Sequence, residues 1–192
     1  MVATSSTRRE LGVVAPGFAL PDYDGRIVAL DDFPGARGLL VVFWSNHCPY
    51  VKHIKKAFAE FAREYQGKGL AIVAINANDA DAYPDDSPEQ MKADAEKLGF
   101  TFDYLIDETQ NVARAYDAAC TPDIFLFNKE RKLVYRGQLD DSRPGNDKPV
   151  TGKDLRAAID AVLADKPVTK EQRPATGCNI KWKPGNEPDY FR

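Results

Sequence analysis

The sequence is poor in the residues that staple or metal-load small proteins, with three cysteines and two histidines among 192 residues. Cysteines at 48, 120 and 178 are too few and too scattered for a disulfide scaffold. An odd number cannot all pair within one chain, so at least one thiol stays reduced or exchanges partners. No C-x-x-C or H-x-x-x-H pair occurs, and His47 and His53 straddle a helix start without sharing a face, so no metal site is expected. Long apolar runs are also missing. The longest, residues 38–44, is far shorter than the ~18 residues of a membrane span. The first ten residues carry Arg8 and Arg9 but no apolar stretch of a secretory leader, so the expected address is cytoplasmic. Neither sign of charge dominates: 26 Lys and Arg face 29 Asp and Glu, a net charge of −3. Such a chain has no overall attraction for nucleic acid or an anionic membrane.

What is present reads as one globular α/β domain, with 43% apolar and 29% charged residues and no internal repeat. Residues 18–30 suggest two short strands around an Asp24-Gly25 turn. Residues 38–44 are continuously apolar and β-branched, as in a strand buried on both faces. From Pro49 the period changes: Val51, Ile54, Phe58, Phe61 and Ala62 recur at helical spacing until Gly67 and Gly69 stop the helix. A second buried strand follows at residues 70–76, completing a strand–helix–strand crossover. A polar loop with Asp79, Asp81, Asp85 and Asp86 leads to a helix capped by Ser87, with Pro88 at its first position.

Further on, residues 104–106 read as a strand, 109–116 as a short helix and 123–136 as an antiparallel hairpin, with a final amphipathic helix at 151–164. Asp140, Asp141 and Arg143 read as a solvated polar loop at a sheet end. From Pro167 onward, four prolines break any element and leave residues 168–192 as an irregular tail. The expected division is a domain over residues 1–165 and an extension over 166–192 packed on it.

Chemistry concentrates at Cys48, on the turn from buried strand to helix. A thiolate there faces the positive end of the helix dipole and the unpaired N–H groups of the first turn, which lowers a cysteine pKa from about 8.5. His47 adds a cation when protonated. The bland alternative is a small buried apolar cysteine.

Phe43-Trp44-Ser45-Asn46-His47-Cys48-Pro49-Tyr50-Val51 resembles the active-site segment of the thioredoxin superfamily, and Cys120-Thr121-Pro122-Asp123-Ile124-Phe125 resembles its cis-proline segment. The opening Ala15-Pro-Gly-Phe-Ala-Leu-Pro-Asp22 is similar to the entry of the peroxiredoxin and membrane-anchored thioredoxin-like branches. The nearest fit is the peroxiredoxin-like, AhpC/TSA (redoxin-domain) group, which Asp140-Asp141-Ser142-Arg143-Pro144 and Gly177-Cys178-Asn179-Ile180-Lys181-Trp182-Lys183 also resemble. The resemblance implies a thioredoxin-like fold, a mixed central sheet flanked by helices, with an N-terminal strand pair and a C-terminal tail. Two departures stand out. Val51 occupies the place of the second cysteine of C-x-x-C, and Val42 that of the buried aspartate that assists deprotonation in thioredoxins.

The resemblance further implies a thiol-dependent oxidoreductase, a disulfide reductase or peroxiredoxin-like antioxidant protein, with Cys48 as its single nucleophile and no organic cofactor. Thr121, Pro122, His47 and Trp44 would border the substrate groove, Trp44 mainly as packing. Cys178 and Cys120 are the candidates to resolve Cys48, each set against an ordinary packing role, and an external thiol such as glutathione or thioredoxin is the remaining option. Substrates would be disulfides or peroxides. A redox-inactive binding module on the same fold is the alternative.

Overall fold

The computed structural model describes residues 3–191; positions 1, 2 and 192, the ends of the N-terminal segment and tail discussed above, lie outside the described residues. A central sheet is built from β4 (Gly38–Phe43), β5 (Leu70–Asn76), β6 (Asp103–Ile106), β8 (Asp123–Asn128) and β9 (Leu133–Tyr135), in the order β6-β5-β4-β8-β9. β4 runs parallel to β5 and antiparallel to β8, so the sheet is mixed. The apolar run forms the middle strand because alternate side chains feed two cores. Leu40, Val42 and Trp44 point to one face, where α1 (Pro49–Gln66) and α4 (Lys153–Leu163) supply Phe58, Phe61, Leu155 and Ile159. Leu39, Val41 and Phe43 point to the other, against Phe18, Val28, Tyr116 and Phe127.

The local signals place the remaining helices. Ser87 Oγ accepts the Gln90 N–H at 3.4 Å at the start of α2 (Pro88–Leu98), and Gly99 closes that helix at φ +62°, a conformation most side chains avoid. The strand pair β2 (Ala19–Pro21) and β3 (Ile27–Ala29) flanks the turn at Asp24-Gly25. α3 (Asn111–Ala115) is shorter than the periodicity suggested.

The tail differs from expectation. Residues 176–179 form a strand, β10 (Thr176–Asn179), held between β1 (Ala3–Ser5) and β7 (Cys120–Thr121) in a second sheet. Cys178 is opposite Ala3 on one side and Thr121 on the other. No helix forms among the described residues after α4, but a four-residue strand paired to partners far away in sequence leaves no periodicity to read. Gly177 permits the approach, since a Cβ at that position would be driven into the Thr121 carbonyl. Beyond β10, Ile180 and Trp182 are buried in the second core.

Asp140 itself is also not solvated, although the loop beyond Arg143 is exposed. The Asp140 side chain is buried and accepts the N–H groups of Ser142 at 2.8 Å and of Thr151 and Gly152 at 2.7 Å, joining the loop to the start of α4. Arg143 bonds the carbonyls of Asp140 and Ser142 and the Gln138 side chain.

Candidate active site

Cys48 is the N-cap of α1, with extended backbone and Pro49 in the first helical turn. The turn aims its sulfur at the end of the helix and at the loop between β7 and β8, where the Thr121-Pro122 peptide is cis. In the neutral state Cys48 donates to the Thr121 carbonyl at 3.0 Å. Its Sγ lies 2.8 Å from Cys178 Sγ, and both are thiols in the structure. Neither is accessible: Cys48 is 0% and Cys178 2% exposed.

One shared proton explains the electrostatics. Donation from Cys178 brings the Cys48 pKa down to about 6, aided by the Thr121 hydroxyl and the N–H groups of Val51 and Cys178, against the opposing effect of burial. The same bond, with burial, keeps the proton on Cys178, whose pKa is raised. The pair therefore loses its first proton easily and its second with difficulty. Cys120, 0% exposed on β7, is different: burial pushes its thiol well above the ordinary range, and its sulfur lies 3.7 Å from the Pro122 carbonyl oxygen. Of the two candidate partners, Cys178 is the one in sulfur contact with Cys48.

His47 Nδ1 lies 2.5 Å from Asp86 Oδ2, and its ring stacks on Tyr83 at 5.2 Å between centroids. Trp44 has no exposed surface and packs at a tilt against Phe58, so it supports the turn from the core and contributes nothing to an open groove. Thr121 and Pro122 border the cysteine pair, but the backbone edge of β7 there is taken by β10 of the same chain. Lys181, three residues beyond Cys178, is mostly buried; its Nζ bonds the Asn179 carbonyl at 2.7 Å and side-chain oxygen at 2.9 Å. Burial lowers its pKa, and the field of both thiols opposes that.

Asp86, Asn78 and Lys181 were not singled out by the sequence. Asp86 sits among three other aspartates in a polar loop, and only its position just before the Ser87 cap distinguishes it. Among the described residues no three His, Cys, Asp or Glu side chains converge as a metal site. None of the described helices is long and apolar enough to cross a membrane.

The AhpC/TSA family pattern matches residues 11–136, from the N-terminal segment through β9. The chain belongs to the AhpC/TSA family. Among curated relatives, the thiol–disulfide oxidoreductase ResA of Geobacillus thermodenitrificans is 32% identical over 130 residues, 68% of this chain and 70% of that protein. The thioredoxin domain of a thiol–disulfide oxidoreductase from Bacteroides vulgatus superposes with a TM-score of 0.55 at 24% identity, covering 68% of this chain and 91% of that one, which shows the thioredoxin-like fold. A hypothetical protein of Sinorhizobium meliloti 1021 is more similar over the whole chain: 53% identity and a TM-score of 0.93, covering 95% of this chain and all of that one. The AhpC/TSA match contains Cys48, Cys120 and Pro122 but ends before Cys178. In this AhpC/TSA chain, the thiol touching Cys48 is thus supplied from outside the family-matched segment.

Proposed function

We propose that this chain is a thiol–disulfide oxidoreductase with a two-cysteine centre, in which Cys48 attacks and Cys178 resolves. The observation that carries the reading is the 2.8 Å contact between the two sulfurs, with the Cys48 pKa brought down to about 6. The Cys48 thiolate attacks a substrate disulfide and expels one thiolate, leaving a mixed disulfide. Cys178 gives up its proton, attacks the Cys48 sulfur and expels the second thiolate, so the substrate gains two electrons and the pair becomes a disulfide. An external thiol, glutathione or a thioredoxin-like dithiol, returns the two electrons. The missing C-x-x-C partner at Val51 is replaced by a cysteine from the other end of the chain.

Peroxide is a second substrate class, favoured by the burial of Cys48, which suits a small oxidant better than a protein disulfide. Attack on the O–O bond would give a sulfenic acid on Cys48 and release water or an alcohol. Condensation with Cys178 would then release water and form the same disulfide.

The test is peptide mapping of the reduced protein after about one equivalent of hydrogen peroxide or of oxidised glutathione. A Cys48–Cys178 bond formed faster with glutathione supports the disulfide reading, and one formed faster with peroxide supports the peroxidase reading. A Cys48 that remains reduced under both reagents supports a binding module instead.

A further inference from the structure

The side chain of Asp86 has no exposed surface, yet it is held below the usual carboxylate range. Burial works against that charge, but hydrogen bonds from His47, Asn78 and Asn46 outweigh it. The donors come from two places. Ser45 Oγ at 3.2 Å, the Asn46 N–H at 2.6 Å and His47 Nδ1 at 2.5 Å belong to the three residues immediately before Cys48. Asn76 Nδ2 at 3.0 Å and Asn78 Nδ2 at 2.8 Å come from the end of β5 and the loop after it.

Asn78 is bonded at both ends. While its Nδ2 donates to Asp86, its Oδ1 accepts the Lys181 N–H at 2.8 Å. The Lys181 carbonyl is fixed in turn by the Asp79 N–H at 2.9 Å and Gln110 Nε2 at 3.0 Å. A continuous polar path therefore runs from the Cys48 turn through Asp86 and Asn78 to the backbone three residues after Cys178. A carboxylate that served only its own loop would take its donors from that loop. This one takes three of its five from the turn carrying one thiol and is joined, through the Asn78 amide, to the segment carrying the other.

We propose that Asp86 and Asn78 are positioning residues that set the separation of Cys48 from Cys178, and so the effective concentration of one thiol at the other. The inference rests on the two-cysteine reading above. In a glutathione buffer, the pair passes two electrons and two protons to oxidised glutathione, forming one Cys48–Cys178 disulfide and two reduced glutathione molecules. Its equilibrium constant has units of concentration and reports how well the folded chain holds the two sulfurs together.

The experiment equilibrates the full-length reduced protein with glutathione buffers of graded ratio and quantifies the Cys48–Cys178 peptide. Asn78→Ala cuts the path on the tail side and leaves the Ser45, Asn46 and His47 bonds to Asp86. It should lower the effective concentration by about tenfold or more, the scale expected of a misplacement near an ångström. In a Cys178→Ala background, the same change should leave the equilibrium between Cys48 and glutathione within about twofold, because the Cys48 turn is still anchored. If Asn78→Ala loses its far-ultraviolet circular dichroism, Asn78→Asp decides; it keeps an acceptor for Lys181 but sets a carboxylate against Asp86, and the same selective loss is expected. An unchanged dithiol equilibrium overturns the proposal, as does an equal loss in both backgrounds, which would signify general loosening. If the parent protein forms no Cys48–Cys178 disulfide in any buffer, the two-cysteine reading fails and this inference falls with it. A parent disulfide that is insensitive to Asn78 overturns only the inference.

Discussion

Cys48 and Cys178 are separated by 130 positions in the chain, yet their sulfur atoms lie 2.8 Å apart. The contact joins the start of α1 to β10, and most of the unusual chemistry follows from the single proton it holds.

Removing Cys178 should make Cys48 an ordinary thiol. The thiolate absorbance of the reduced protein is expected to titrate with a midpoint at about 6. In Cys178→Ala, the largest cause of that depression is gone, and the midpoint should rise toward the ~8.5 of a free cysteine. A midpoint that does not move would mean that the helix end alone activates Cys48.

The pair also gives stability a pH profile with a defined sign. Between about 6 and ~8.5 the folded chain has lost a proton from Cys48 that the unfolded chain still holds, so stability rises with pH. Above ~8.5 both unfolded thiols release their protons while folded Cys178 keeps its own, so the gain reverses. Urea unfolding of the reduced protein should therefore show a maximum near the ordinary thiol pKa. A Cys48→Ala/Cys178→Ala double variant, measured in parallel, should lack that component.

Gly177→Val should loosen β10. Its side chain would enter the space of the Thr121 carbonyl, and overpacking of this kind costs about 1–3 kcal/mol. The expected result is a lower denaturation midpoint together with faster alkylation of Cys178. An unaltered alkylation rate would show that the strand is not held by this close approach.

The buried pair beside Pro122 gives a prediction of stability alone. Asp123 and Arg136 are almost wholly buried and bonded to each other through both terminal guanidinium nitrogens, and Asp123 also accepts the Ala119 N–H at 2.9 Å. Arg136→Met strands the carboxylate and should cost about 3–5 kcal/mol in denaturant unfolding. Adding Asp123→Asn should recover part of the loss, and a further loss in the double variant would contradict the pairing argument.

The strands and helices that carry the core were legible because their signals are local. Residues 38–44 are apolar without interruption, α1 repeats its apolar residues at helical spacing, and Ser87-Pro88 marks a helix start. Cys48 was legible for a related reason, since its neighbours fix a strand-to-helix turn. Cys178 stood out as a candidate, but its strand did not, because Thr176-Gly177-Cys178-Asn179 has no period and gains its structure from Ala3–Ser5 and Cys120–Thr121. Asp86 was hidden similarly: a buried carboxylate and a solvated one have the same letter, and only the arrangement of Asn46, His47 and Asn78 tells them apart.

The placement of β10 has a consequence for biosynthesis. A chain emerging from the ribosome presents Cys48, its helix and the Thr121 carbonyl long before Cys178 has been made, and domains assemble as their residues become available. Throughout that interval the first cysteine lacks the neighbour that sets its acidity. The cysteine pair is thus completed only after the core strands have been made, and a chain ending between residues 136 and 177 would hold those strands but not the pair.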